Sequence, residues 1–150
     1  MSTLRPPRSR DEMDFTISGE SHVRAYRETN GEQGYIWNDA PILLLTTKGR
    51  ESGQPRTTPL IFVRDEDRYV IIASLGGAPN HPAWYLNLQA DPHVQLQVKA
   101  DVFDAVARTA TSPERERLWA KAVEVWPQYE DYQALTERVI PVVVLEHLRT

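Results

Sequence analysis

Cysteine is absent from this chain of 150 residues. A disulfide, a thiolate metal site and a cysteine nucleophile are therefore excluded, and the absence fits a reducing compartment such as the cytoplasm. Any redox chemistry would need a bound cofactor.

Long apolar runs are missing as well. No segment approaches the ~20 residues that cross a bilayer as a helix, and the first residues lack the hydrophobic stretch of a signal peptide. We therefore expect a cytoplasmic protein without a transmembrane segment, and peripheral contact with a membrane stays open. The chain is long enough to bury one substantial core, as a monomer or as a homodimer.

The sequence also lacks an excess of basic residues. Its 17 lysines and arginines stand against 21 acidic residues, which gives a formal net charge of −4. A general nucleic-acid binder needs a basic face that neutralises phosphates. We therefore expect no nucleic-acid partner, and any anion site must be local.

Motifs for metal binding and hydrolysis are not found. The acidic run Asp65-Glu66-Asp67 lacks the calcium-loop pattern and is predicted to be a solvated turn. No nucleophile-elbow motif indicates a hydrolase, and the histidines have no metal-ligand spacing. We expect no metal site at these four histidines, which are His22, His81, His93 and His147.

Apolar patterning predicts an α+β fold. Antiparallel hairpins with helices inserted between them favour a sheet that curls into a small barrel. Runs of apolar and β-branched residues predict about six strands, at residues 42–45, 59–63, 69–73, 94–98, 102–109 and 141–145.

Helical spacing and helix-start signals predict three or four short helices. Residues 1–17 mix proline, arginine and acids without apolar periodicity, and are predicted to form a flexible N-terminal arm. Residues 18–150 are predicted to form a single domain. The predicted helices run from Ser18 or Ser21 to Thr29, over residues 83–90, from the N-cap Ser112 to Trp126, and beyond Pro127.

The segment at residues 46–60 is the first candidate for a binding site. Gly49 and Gly53 bound a turn between two β-patterned runs and permit backbone conformations that a β-carbon forbids. Exposed N–H groups and the guanidinium groups of Arg50 and Arg56 could converge there on a phosphate or carboxylate. The alternative is a solvated hairpin with ordinary surface arginines.

A second candidate follows at residues 73–88. A strand ends at Ser74, a Gly76-Gly77 loop follows, and the loop leads into a helix N-terminus that favours anionic or electron-rich groups. Trp84 offers a flat apolar surface. On its own this tryptophan is more often a core residue than a cofactor contact.

These two segments in this order resemble the deazaflavin-dependent nitroreductase family. That family also includes deazaflavin-dependent quinone reductases and belongs to the split β-barrel flavin-binding superfamily. The resemblance runs from about His22 to Leu148. Its motifs are Leu43-Leu44-Leu45-Thr46-Thr47, Gly49-Arg50, Ser52-Gly53-Gln54-Pro55-Arg56, Ala73-Ser74, Gly76-Gly77-Ala78, Trp84-Tyr85-Leu86-Asn87-Leu88 and Tyr129-Glu130-Asp131-Tyr132-Gln133.

The resemblance implies a split β-barrel that binds reduced 8-hydroxy-5-deazaflavin (coenzyme F-420) and passes its hydride to a quinone, a nitroaromatic or another electron-poor acceptor. FMN is the less favoured cofactor. The implied cofactor-binding residues are Lys48, Arg50, Ser52, Gln54, Arg56, Pro59, Ala73, Ser74, Leu75, Gly76, Gly77, Ala83, Trp84 and Asn87.

The acceptor side is implied on the C-terminal segment. By resemblance, Trp126, Tyr129 and Tyr132 line the acceptor pocket, and the two tyrosines together with Ser74 are the catalytic candidates. A hydroxyl there could orient or protonate an acceptor oxygen as it gains negative charge.

The chain departs from the family at three positions. Glu51 and Leu75 stand where many members have lysines that help to hold the anionic tail of the cofactor. We expect a weaker tail contact, or one remodelled with Lys48. Trp126 stands where characterised nitroreductases have a tyrosine, so activity on the same nitroaromatics is not implied.

Two other functions stay open at this point. One is a split-barrel binding protein for a fatty acid, haem or flavin-like ligand without turnover, which Glu51 and Leu75 favour. The other is an FMN-dependent oxidase of the same superfamily. Arg50, Arg56 and the intact glycine loop favour the deazaflavin reductase.

Overall fold

The computed structural model describes residues 19–148, so the predicted arm at residues 1–17 lies outside the described residues. Four α-helices and seven β-strands make up this part of the chain. In chain order they are α1 (Gly19–Thr29), β1 (Ile36–Trp37), β2 (Ala40–Lys48), β3 (Pro55–Asp65), β4 (Arg68–Ile72), α2 (Ala83–Ala90), β5 (His93–Val98), β6 (Asp101–Thr109), α3 (Glu114–Val125), α4 (Gln128–Ala134) and β7 (Val142–His147).

Six of the strands close into a barrel. Their order is β2-β3-β4-β7-β6-β5, and β5 pairs back onto β2, with Leu45 opposite Leu96. Every pairing is antiparallel, and β1 adds a short extra strand to the edge of β2. The predicted α+β split barrel is therefore confirmed.

Strand β2 has apolar residues on both faces, which explains its unbroken run of leucines. Leu43 and Leu45 point into the barrel interior, whereas Ile42 and Leu44 pack beneath Tyr26 of α1. Successive side chains of a strand point to opposite faces. An alternating pattern would therefore have left one of these two faces polar.

The helices cover the ends and one outer wall of the barrel. Trp84, Tyr85 and Leu88 of α2 join the core cluster inside the barrel. On the outer wall, α3 and α4 bury Leu118 and Tyr129 against β4 and β7. A helix therefore lies beside each of the two candidate binding segments, residues 46–60 and residues 73–88.

Several element boundaries differ from the predictions. Strand β3 begins at Pro55 rather than at Pro59, so Arg56 lies on a strand and not in the turn. Helix α3 begins at Glu114, and the Ser112 hydroxyl bonds the Glu116 carboxylate instead of capping the helix backbone. Pro127 separates α3 from α4 as predicted.

Asp65 corrects the prediction of a solvated acidic turn. Its side chain is only 5% exposed and contacts three cations: Arg117 (2.8 and 3.1 Å), Arg68 (2.6 Å) and Lys121 (3.0 Å). The Arg117 hydrogen bonds, followed by those from Lys121 and Arg68, hold the pKa of Asp65 well below its usual range against the opposing effect of burial. Asp65 therefore ties α3 to the β3–β4 hairpin.

Asp65→Asn should lower the free energy of unfolding by about 1–3 kcal/mol near neutral pH, because charge-assisted contacts are lost while the cations regain water. Since folding lowers the pKa of Asp65, its stabilisation is complete above the unfolded carboxyl pKa of about 3.9 and is lost as the pH falls below it. Urea unfolding at neutral and acidic pH measures the difference.

Asp104→Asn is the matched control, because this exposed aspartate of β6 has no ion pair within residues 19–148. It should change stability little at either pH. Equal destabilisation by the two substitutions, or a pH-independent loss in Asp65→Asn, would contradict the proposed role of the buried carboxylate.

Candidate active site

The turn between β2 and β3 is held by its own backbone. The Gly49 N–H donates to the Gln54 carbonyl at 2.8 Å, and the Gly53 N–H donates to the Gly49 carbonyl at 2.8 Å. Gly53 has a φ of +72°, and a β-carbon on Gly49 would lie 2.7 Å from Ser52 Oγ. Both glycines are therefore needed, one for its backbone angle and one for space.

Asn87 of α2 fixes this turn against the helix. Its buried Oδ1 accepts hydrogen bonds from the Arg50 backbone N–H (3.2 Å) and from Arg50 Nη1 (2.8 Å). Its Nδ2 donates to Thr47 Oγ1 at 3.1 Å. One amide thus holds a turn, an arginine side chain and the end of β2 together.

A cationic pocket of about 250 Å³ opens between the turn and α2, and its lining includes Arg50, Arg56 and Glu51. Arg56 is exposed, and its guanidinium has no hydrogen-bond or ion-pair partner within residues 19–148. Two guanidinium groups and one carboxylate leave an excess of positive charge. The pocket, which we call the anion pocket, is therefore suited to a phosphate or carboxylate.

A larger cavity of about 520 Å³ adjoins the anion pocket, and the two share Thr58, Ala83 and Trp84. We call it the acceptor cavity. Among the described residues its lining contains no carboxylate, lysine or arginine side chain, and aromatic and aliphatic groups dominate. They come from α1, β1–β4, the loop after β4, α2 with its preceding proline, the α3–α4 junction and α4: His22, Trp37, Ile42, Pro59, Leu60, Ile61, Ile72, Ser74, Leu75, Gly76, Pro82, Trp126, Tyr129 and Tyr132 among others.

Two hydroxyls in the acceptor cavity lack partners. Ser74 and Tyr129 are only 8% and 5% exposed, and neither hydroxyl has a hydrogen-bond partner within residues 19–148. Burial raises the pKa of Tyr129, and the neighbouring Tyr132 adds to the rise. Neither oxygen is fully enclosed, because no fully enclosed side-chain nitrogen or oxygen of the described residues lacks a partner, so each is open to water or to a ligand that enters the cavity.

Tyr132 differs from Tyr129 although both line the cavity. Its hydroxyl donates to Gln128 Oε1 at 2.9 Å and accepts a hydrogen bond from Trp126 Nε1 at 3.3 Å. The Trp126 ring also packs near Trp37, with centroids 6.1 Å apart. Tyr132 therefore organises the wall of the cavity, whereas Tyr129 presents a free hydroxyl.

Arg138 holds the loop that carries Ser74. Its guanidinium donates to the carbonyls of Ala73 (3.2 Å), Ser74 (2.8 Å) and Ala78 (2.9 Å) and to His81 Nδ1 (3.1 Å). Burial lowers the pKa of His81, and the charge of Arg138 adds to this effect. All four partners of Arg138 are neutral acceptors. Its guanidinium therefore holds the loop in place and does not pair with a carboxylate.

The glycines of this loop allow positive backbone φ angles and a close approach of α4. Leu75, Gly76 and Gly77 all have positive φ, at 46°, 63° and 86°. A β-carbon on Gly77 would lie 2.7 Å from the Tyr132 carbonyl oxygen. Gly77 thus permits the close approach of α4 to the loop and lies outside both cavities.

Most predicted site residues come together in the two cavities, and four do not. Lys48 lines a separate pocket with Gly53 and Pro55 and lines neither of the two cavities. Ala73 is fully buried in the barrel core, Gln54 closes the turn through its backbone, and Gly77 packs on α4. These four residues do not line the proposed cofactor site.

Sequence reasoning missed other residues of this region. Glu51, noted only as a departure from the family, lines the anion pocket beside the arginines. Thr58 and His22 line the acceptor cavity, and Arg138 positions its loop. His22 and Tyr26, four residues apart on one helix face, form the one pattern that could have indicated a buried histidine.

Within residues 19–148, no group of three histidine, aspartate or glutamate side chains is arranged to hold a metal ion. None of the helices in this part of the chain combines the length and the apolar character needed to cross a bilayer.

Comparison with known proteins places the chain in a family. The family model described as F420H2-dependent quinone reductase, where F420H2 is reduced coenzyme F-420, matches residues 19–147. An F420H2-dependent quinone reductase of Mycobacterium tuberculosis (strain ATCC 25618 / H37Rv) is 44% identical over 128 residues, covering 83% of this chain and 86% of the relative.

Solved structures agree in fold. A structure described as an F420-H2 dependent reductase (FDR-A) is 45% identical, with a TM-score of 0.66 over 71% of this chain and 94% of its own. Another, described as a domain-swapped dimer, is 40% identical, with a TM-score of 0.69 over 83% and 96%. The chain therefore belongs to the F420H2-dependent quinone reductase family, whose members are oxidoreductases that use coenzyme F-420.

Proposed function

We propose that this protein transfers hydride from reduced coenzyme F-420 to a quinone in the cleft formed by the anion pocket and the acceptor cavity. One observation carries the proposal: a cationic pocket adjoins an apolar cavity with unpaired hydroxyls, and the two share Thr58, Ala83 and Trp84 in their linings. An elongated cofactor with a flat ring and an anionic tail needs both halves. A nitroaromatic acceptor is compatible with the same cavity.

The residues present fit the cofactor. Arg56, which has no partner within residues 19–148, and the part of the Arg50 fork that Asn87 leaves free would hold a phosphate or tail carboxylate. Ala83 and Trp84 would flank the ring, since they line both halves, and Pro59 of the acceptor cavity would lie beside them. Glu51 in the same pocket reduces its positive charge and opposes a highly anionic tail.

When bound, reduced F-420 supplies the hydride, so the protein contributes binding, orientation and charge stabilisation. The Ser74 and Tyr129 hydroxyls would donate hydrogen bonds to an acceptor oxygen that gains negative charge. Because burial raises the pKa of Tyr129, its hydroxyl keeps its proton at neutral pH and serves as a donor. Arg138 would hold Ser74 in place through the loop carbonyls.

Arg56→Ala tests the anion pocket. It should weaken F-420 binding by about 1–3 kcal/mol, because one charge-assisted hydrogen-bonding group is lost. Glu51→Lys should strengthen binding and make it more sensitive to salt. Quenching of F-420 fluorescence, titrated at low and high salt, gives the dissociation constants.

Arg24→Ala is the matched control, since this arginine is exposed on α1 and lines neither cavity. It should leave the dissociation constant unchanged. Unchanged affinity in both Arg56→Ala and Glu51→Lys would place the anionic tail elsewhere and contradict the assignment of the pocket.

The tyrosines of α4 test the acceptor cavity. With reduced F-420 and a quinone such as menadione, Tyr129→Phe should lower kcat about 10- to 100-fold, because one donor to the developing oxyanion is removed. Tyr132→Phe should lower kcat less and cost about 1 kcal/mol of stability, because it removes the bond to Gln128. Absorbance of the oxidised cofactor and thermal melts report both effects.

Tyr85→Phe is the control, because the Tyr85 hydroxyl bonds Thr109 at 2.8 Å outside both cavities. It should leave kcat intact. Full activity in Tyr129→Phe would remove this hydroxyl from the mechanism, and no oxidation of reduced F-420 by wild-type protein with any quinone would refute the proposed function.

A further inference from the structure

His22 of α1 is a buried imidazole that has no role in holding the cofactor or in the hydrogen bonds from Ser74 and Tyr129. Its side chain is only 3% exposed, and it lines the acceptor cavity together with Tyr129 and Ser74. One ring nitrogen is occupied, since Nε2 lies 2.7 Å from the Gly34 carbonyl oxygen. A carbonyl only accepts, so Nε2 carries a proton and donates it.

The other nitrogen of His22 is available to a ligand. The Nε2–Cδ2 edge of the ring packs against Gly34, where a β-carbon would lie 3.0 Å from Cδ2 and 3.1 Å from Nε2. Nδ1 is on the opposite edge and has no hydrogen-bond partner within residues 19–148. No fully enclosed side-chain nitrogen or oxygen of these residues lacks a partner, so Nδ1 is reached from the cavity.

Quinone reduction requires a proton as well as a hydride. The hydride brings two electrons and one hydrogen, which would turn the quinone into a hydroquinone monoanion, and the proton that reduced F-420 also loses on oxidation would pass to solvent. One further proton must form the second O–H bond. Tyr129 is a poor source, because burial raises the pKa of its hydroxyl and favours retention of the proton. Serine hydroxyls are weaker acids still.

The surroundings of His22 carry no competing charge. The cavity that His22 borders contains no carboxylate and no lysine or arginine side chain among its described lining residues. Tyr129 and Tyr132 are the other titratable groups of that lining, and Tyr26 lies beside His22 at Gly34. Imidazole is the side chain that most often transfers protons in enzymes, and His22 is the one imidazole among the described residues of this lining.

We propose that His22 is the proton donor of the reaction: its protonated Nδ1 gives a proton to the oxyanion of the hydroquinone monoanion. The Nδ1–H bond breaks, the second O–H bond forms, and solvent reprotonates the ring after the product leaves. The Gly34 carbonyl holds the imidazole in the required orientation through Nε2. This inference rests on the proposed quinone reductase function.

His22→Gln and His22→Ala test the inference. The glutamine amide can still donate to the Gly34 carbonyl but cannot transfer a proton, and the alanine leaves room for added imidazole. We expect kcat with menadione to fall at least tenfold in both, with F-420 affinity by fluorescence unchanged. Imidazole should restore kcat in His22→Ala, and the decline of wild-type kcat at rising pH should be absent from His22→Gln.

Rescue by imidazole distinguishes proton transfer from packing, since a merely structural role would not respond to it. Wild-type kcat and pH profile in His22→Gln would overturn the inference, and so would a loss in His22→Ala that imidazole does not restore. If wild-type protein binds F-420 and turns over while His22→Gln is unaffected, only the role of His22 fails. If wild-type protein shows no turnover, both proposals fail.

Discussion

The arrangement of the cleft depends on a buried amide, that of Asn87. It joins the β2–β3 turn to α2 through two hydrogen bonds from Arg50 and one to Thr47. Since α2 also carries Ala83 and Trp84, the same amide sets the distance between the cationic turn and the apolar wall. Loss of an internal partner leaves buried polar groups unpaired, so this junction constrains both cavities at once.

A second constraint acts from the opposite side of the acceptor cavity. Arg138 holds three carbonyls of the Ser74 loop, and Gly77 lets α4 approach that loop closely. Tyr129 and Ser74 are thereby held on neighbouring walls. Hydroxyls fixed in this way are organised before the acceptor arrives, which is how a protein stabilises charge without reorganising during the reaction.

Fold class and the main site segments could be predicted because the relevant signals are local. Alternation and β-branched runs mark the strands, and the glycine turns mark both loops. The start of β3 was missed because Pro55, Arg56, Thr57 and Thr58 are polar and resemble a turn. They nevertheless pair with β2, with Thr57 opposite Thr46 and their hydroxyl oxygens 2.7 Å apart.

Other features could not be predicted because their partners are distant in sequence. Two of the three cations that contact Asp65 are 52 and 56 positions along the chain, and Arg138 bonds carbonyls 60 to 65 positions away. Carbonyl acceptors belong to the backbone of every residue, so the pattern of side chains along the sequence does not indicate which of them Arg138 will bond. Periodicity can likewise indicate that one face of α1 is buried, but not that His22 on that face borders a cavity.

The central claim is that the cleft is built for a deazaflavin with an anionic tail. Titration of the purified protein with F-420 and with FMN, side by side under the same conditions, tests it most directly. The account predicts saturable binding of F-420 at micromolar or lower concentration and weaker binding of FMN. Equal affinities, or no change in F-420 fluorescence at high protein concentration, would contradict it.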